Sequence, residues 1–175
     1  VNDTQLPAGS GCFTGIGQTT STAPGADVAY RFTAPAAGKY SFRFSDYDAA
    51  KNAVLYVSSD CPSGVSPLTI AGCLGAANRT TGNPEEVNCL PLIAGQTVHA
   101  YVDEQTATTG SAFTLEVNRC RDETEPNGAP AAAGEPACGM EGSIVPAGDI
   151  DFYTLGFPGT GARVFAMVDG VAGNS

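Results

Sequence analysis

The chain has no tryptophan, one histidine and only eight lysines and arginines in 175 residues. Each shortage removes a class of function. Eight scattered cations against 18 acids leave a net charge of −10, whereas a nucleic-acid binder needs clustered cations to displace counterions from phosphate. The single imidazole, His99, and six cysteines that never fall in C-x-x-C spacing give no zinc-ligand set. No apolar run approaches the ~20 residues a membrane-spanning helix requires, so no membrane span is expected. Nor does any stretch hold apolar residues at the helical period, which excludes a bundle.

Glycine and proline are plentiful, 22 and 12 residues, among frequent Thr, Ser and Val. That is the composition of short strands and many turns, and a hydrophobic content of 42% is enough for a packed core. The six cysteines, Cys12, Cys61, Cys73, Cys89, Cys120 and Cys138, are an even number, best read as disulfides in an extracellular or cell-surface protein. Their connectivity stays open. Cys61 and Cys73 bracket one loop and make the most local pair; Cys120–Cys138 and Cys12–Cys89 would complete a set of local bridges.

Strands follow from two-residue periodicity. Val28, Tyr30 and Phe32 alternate over 27–32; Tyr40, Phe42 and Phe44 share one face opposite Ser41 and Arg43. Further strands are expected at 53–57, 86–90, 97–102 and 112–117, with a shorter one at 12–16, and a long loop is expected over 58–83. At least seven short strands with regular turns indicate an all-β, antiparallel sandwich over residues 1–120. Residues 121–175 read as a second unit, with strands near 142–145, 151–157 and 162–168. It resembles only the opening part of a sandwich, so completion by further chain or by another copy of the protein is expected.

Chemistry concentrates where the second unit starts. Asp122-Glu123-Thr124-Glu125-Pro126-Asn127 places acids and an amide carbonyl on an irregular segment, and Gly148-Asp149-Ile150-Asp151 adds two carboxylates at i and i+2. Hard cations such as calcium take six to eight oxygens from groups of this kind. A weaker copy pairs Asn2-Asp3-Thr4 with Asp27. His99 lies within a strand and no serine sits on a nucleophile-like turn, so no Ser-His-Asp arrangement is indicated and the chain is read as non-catalytic. The acid pairs Asp46/Asp48 and Asp103/Glu104 read as loop polarity, and the aromatic rows as core. Asn2 and Asn78 head glycosylation sequons, the latter in a loop with room for a glycan.

Glu123-x-Glu125-Pro126-Asn127, the Gly-x-Ile at 142–144 and Gly148-Asp149-Ile150-Asp151-Phe152-Tyr153 resemble the bacterial pre-peptidase C-terminal (PPC) domain family. The first unit resembles it through Asn2-Asp3-Thr4, Asp27-Val28-Ala29-Tyr30, the turn at 34–40 and the stretch 92–103. The resemblance implies two tandem jelly-roll-like sandwiches, the second truncated, of a kind found in secreted bacterial proteins and related to the collagen-binding domains of collagenases. It implies calcium held by Glu123, Glu125, Asn127, Asp149 and Asp151 in the second unit, and a weaker site at Asn2, Asp3 and Asp27 in the first, where Ala29 replaces a family Asp. The expectation is a secreted structural or adhesive protein, stiffened by calcium between repeats and assembling with other copies into filaments. The alternative is an accessory module that attaches a larger extracellular peptidase to protein or polysaccharide.

Overall fold

The structure, a computed structural model, describes residues 4–5, 12, 23–61, 68–79, 84–106, 110–136, 140–155 and 160. The chain divides into two compact units, Val1–Arg119 and Cys120–Ser175.

The first unit is built on two antiparallel sheets. One runs in the order β2 (Val28–Thr33), β8 (Thr97–Glu104), β4 (Ala53–Ser58), β6 (Cys73–Ala77); the other runs β7 (Glu85–Leu92), β3 (Gly38–Ser45), β9 (Thr114–Arg119). A short parallel pair, β1 (Thr4–Gln5) with β5 (Leu68–Thr69), stands apart from both. The expected all-β sandwich is therefore present. Its interior draws on both sheets: Tyr40, Phe42 and Phe44 of β3 and Val87 of β7 meet Leu55 and Val57 of β4 and Val98, Ala100 and Val102 of β8. Burial of this many large apolar side chains is the main force holding the sheets together, at about 1.5–3 kcal/mol for each.

The two sheets differ in a way their sequences encode. On β3 the large apolar residues share the interior face, while the opposite face is polar and only partly open to water, with Ser41 buried. Its outer face carries Ser41, whose hydroxyl donates to Glu86 Oε1 at 2.6 Å, and Arg43, which sits 3.7 Å from Glu116. Strand β4, Ala-Val-Leu-Tyr-Val-Ser, is buried at every position because its sheet is covered on both sides. Val54 and Tyr56 face a second cluster with Tyr101, Ala23 and Ile70, in which the Tyr56 and Tyr101 rings stack at 4.9 Å. A continuous apolar run is the pattern of a doubly covered strand.

Two expectations about strands are corrected. Residues 58–83 are not one loop, since β5 and β6 lie within them. Strand β6, Cys-Leu-Gly-Ala-Ala, lacks the β-branched and aromatic residues that advertise a strand. It is small because of where it packs: a Cβ on Gly75 would come within 2.7 Å of Val87 Cγ1 across the interior. Strand β2 is only partly a half-buried strand. Phe32 packs on the core against Tyr40 and Phe42, while Val28 and Tyr30 stay exposed at the sheet edge. The expected strand at 12–16 lies outside the described residues apart from Cys12.

The turn at 93–96 joins β7 to β8. Gly95 takes φ +78°, the left-handed region that favours glycine, and its amide donates to the Ala34 carbonyl at 2.8 Å. Cys89, at φ +46°, marks an irregularity in the β3–β7 ladder, where the register shifts between Tyr40 and Phe42.

Cys12 is bonded to Cys73, with Cα atoms 6.1 Å apart, so neither Cys61–Cys73 nor Cys12–Cys89 forms. Cys61 carries a free, exposed thiol. Cys89 and Cys120 are both in disulfides, and Cys138 lies outside the described residues. Sequence proximity favours the short Cys61–Cys73 loop, whereas the observed bridge joins residues 61 apart in the chain.

In the second unit, β10 (Arg121–Asp122) pairs in parallel with β11 (Met140–Glu141), and a one-turn 3-10 helix spans Pro130–Ala132. The strand expected at 142–145 is shifted to β11. That at 151–157 is reduced, among the described residues, to a bridge between Tyr153 and Gly134. The strand expected at 162–168 falls outside the described residues.

Candidate metal centre

Three short segments of the second unit converge. The β10–β11 pairing, continued by the Glu123 amide donating to the Glu141 carbonyl at 2.8 Å, sets Glu123 beside the turn at 142–143. There Glu123 Oε1 accepts the Ser143 amide, and its Oε2 accepts the Tyr153 hydroxyl at 2.8 Å and Asn127 Nδ2 at 3.4 Å. Gly142 makes room for this, because a Cβ there would meet Glu123 Oε2 at 2.5 Å. The Asn127 amide donates to Glu125 Oε2 at 2.9 Å, and the Asn127 carbonyl accepts the Phe152 amide at 3.1 Å, drawing in the segment that carries Asp151.

The result is one carboxylate oxygen from each of Glu123, Glu125 and Asp151 within 4.8 Å of the others. Asp151 Oδ1, on one of these three carboxylates, and Asn127 Oδ1 beside them are buried without a hydrogen-bond partner, and Asn127 as a whole is 0% exposed. Buried polar atoms normally find a partner, so an unpaired carboxylate oxygen and an unpaired amide oxygen in this acidic cluster mark a place where positive charge is favourable.

The electrostatics agree. The Ser143 amide, helped by Tyr153 and Asn127, holds the Glu123 carboxyl below its ordinary value. Burial, then the crowding of Glu123, Asp149 and Glu125, pushes Asp151 up. Burial and the bond to Glu123 raise the Tyr153 phenol to about 12, so it stays a donor. All donors are hard oxygens, with no sulfur or imidazole among them, which suits Ca²⁺ rather than zinc or copper.

Of the residues named from sequence, Glu123, Glu125, Asn127 and Asp151 are brought together. Asp149 stands at the periphery: its Oδ1 accepts the Ile150 amide at 3.0 Å. Asn2 and Asp3 lie outside the described residues, and Asp27 precedes β2 in the first unit, one of the acids whose charge helps raise Asp103. Tyr153 was read only as an aromatic, although its hydroxyl on Glu123 is part of the centre.

Elsewhere two sequence readings change. Asp103 and Glu104 are not loop residues; they end β8 and are each 1% exposed. The Tyr56 hydroxyl donates to Asp103 Oδ2 at 3.0 Å and the Tyr47 hydroxyl to Glu104 Oε2 at 2.6 Å. Asn78 is fully buried and accepts Asn52 Nδ2 at 3.0 Å, so the folded chain has no room for a glycan there. Glu85, on β7, has no sequence signature and is also sealed in the first unit. His99 lies opposite Ser58 and Arg31 in the ladders; the Ser58 hydroxyl instead accepts the Asp60 amide at 2.9 Å. Among the described residues no serine hydroxyl hydrogen-bonds to it.

Comparison with protein-family models, with curated proteins and with solved structures found no match. No helix among the described residues is long and apolar enough to cross a membrane.

Proposed function

We propose that this is a non-catalytic, extracellular β-sandwich protein whose second unit is stiffened by a bound calcium ion. The observation that carries the reading is the convergence of Glu123, Glu125 and Asp151, with Asp151 Oδ1 and the neighbouring Asn127 Oδ1 buried and unpartnered. Without a cation those three carboxylates repel one another. With one, residues 123–127 and 149–153 are tied together by a single ion, and water or backbone carbonyls complete its six to eight oxygens. The disulfides favour an oxidising, extracellular setting. The motif resemblance to PPC domains supports a structural or adhesive role, and equally an accessory module beside a secreted peptidase.

Calorimetric titration of the chelator-treated protein with Ca²⁺, alongside limited proteolysis, tests this. Binding should be one-to-one, abolished by Glu123→Gln combined with Asp151→Asn, and should slow cleavage within 121–155. At a hundredfold excess over Kd the ion should stabilise the unit by about 2.7 kcal/mol. No binding heat, together with a cleavage rate indifferent to chelator, would reject the proposal.

A further inference from the structure

One loop of the second unit carries three large aliphatic side chains left almost bare. Ile144 is 68% exposed, Val145 71% and Ile150 62%; among the described residues only Ile93, at 70%, is comparable. Both ends of the loop are pinned to the acidic segment 123–127. At one end the Ser143 amide donates to Glu123 Oε1; at the other the Phe152 amide donates to the Asn127 carbonyl at 3.1 Å. Between them the Asp149 amide closes a turn on the Pro146 carbonyl at 2.9 Å, with Gly148 at φ +92°. Every residue from 142 to 148 is exposed, so the loop projects and its aliphatic side chains gain nothing from folding. Single exposed apolar residues are ordinary, but a group of them on one projection marks a contact surface. From 143 to 148 the sequence Ser-Ile-Val-Pro-Ala-Gly holds no charge. Asp151, just past Ile150, is one of the three carboxylates of the candidate metal centre.

We infer that this loop docks on an anionic lipid surface when calcium occupies the neighbouring centre. The inference rests on the calcium reading above and supplies the partner of that centre. One oxygen each from Glu123, Glu125, Asp151 and Asn127 leaves about two to four of calcium's positions to water. Lipid phosphate oxygens displace that water, and the aliphatic side chains on the adjoining loop enter the boundary between headgroups and acyl chains. A lipid surface offers anionic oxygens and apolar material together and demands no matching shape, which suits a projecting loop. The ion also decides when contact occurs. The chain carries a net charge of −10 and the loop has no lysine or arginine, so an anionic surface repels it until calcium bridges the two.

Cosedimentation of the full chain with vesicles of phosphatidylglycerol and phosphatidylcholine tests this, with calorimetric Ca²⁺ titration of the same protein alongside. In calcium the protein should pellet with the vesicles, and chelator should release it. Vesicles of phosphatidylcholine alone should bind at least about tenfold more weakly. Ile144→Ser combined with Val145→Ser should weaken vesicle binding about a hundredfold, from about tenfold per buried side chain. The same double variant should keep its one-to-one calcium heat, since neither residue is a ligand. A wild-type chain that binds calcium but stays in the supernatant overturns the inference and leaves the calcium reading standing. Pelleting that ignores chelator, or a double variant that pellets as the wild type does, overturns it as well. Absence of calcium heat rejects the centre itself, and the lipid contact with it.

Discussion

Stability of the first unit should fall as pH rises through neutrality, because two carboxyls are sealed in it. Asp103 and Glu85 are each 1% exposed. Burial, opposed by the Tyr56 hydroxyl and Glu104 amide, pushes Asp103 from 3.8 up to about 8. Burial, opposed by the Arg79 amide and charge, takes Glu85 from 4.5 to about 8. In the unfolded chain both ionise near their ordinary values, so at intermediate pH the folded state carries two more protons. For an acid raised in this way, the stabilisation is complete below the unfolded value and is lost as pH climbs toward the folded one. Each group contributes a slope of about −1.4 kcal/mol per pH unit, about −2.7 for the pair, between about pH 5.5 and 7. Over that window the loss approaches 4 kcal/mol, roughly a third or more of a typical domain's stability. Urea unfolding followed by near-ultraviolet dichroism of the stacked Tyr56–Tyr101 pair would read it. Asp103→Asn and Glu85→Gln should each halve the slope, and the double variant should flatten it. A wild-type stability that is level or rises across the window would refute the reasoning, since both carboxyls would then be ionised inside the fold.

Gly142→Ala should weaken Ca²⁺ binding at least about tenfold without altering a ligand, because the new Cβ collides with the Glu123 carboxylate; unchanged titration heat would place the ion elsewhere. Gly75→Ala should destabilise the first unit by about 1–3 kcal/mol through overpacking on Val87, with partial rescue by Val87→Ala in the same urea assay. Phe42→Ala, at the centre of the interior, should cost about 3–5 kcal/mol by the same measure.

Periodicity exposed the elements with one apolar and one polar face. Tyr40, Phe42 and Phe44 alternate with Ser41 and Arg43 because one face of β3 meets the apolar core and the other meets polar partners, Glu86 and Glu116. It could not expose β6, whose small residues answer to the Val87 side chain across the interior rather than to any local preference. Asp103 and Glu104 look like the start of a polar loop, and only the tyrosines delivered by β4 and residue 47 turn them into buried carboxyls. The acidic cluster was legible because its carboxylates fall in two short segments. The place of Tyr153 in it was not, since that depends on a hydroxyl reaching Glu123 from 30 residues away. Disulfide pairing was the least legible, because the observed bridge joins residues 61 apart and does not follow distance along the chain.

The buried Asn78 bears on how the protein can be produced. Its sequon is readable while the chain is extended, yet in the fold the side chain is enclosed and bonded to Asn52. A eukaryotic secretory host that attaches a sugar to the nascent chain would put a bulky polar group where β6 must leave the sheet. Glycosylated molecules would be unable to close that end of the sandwich, and secretion would pass only those that escaped modification. Asn78→Asp in such a host would remove the acceptor while keeping an oxygen for Asn52 to bond, and a bacterial periplasm would avoid the conflict altogether.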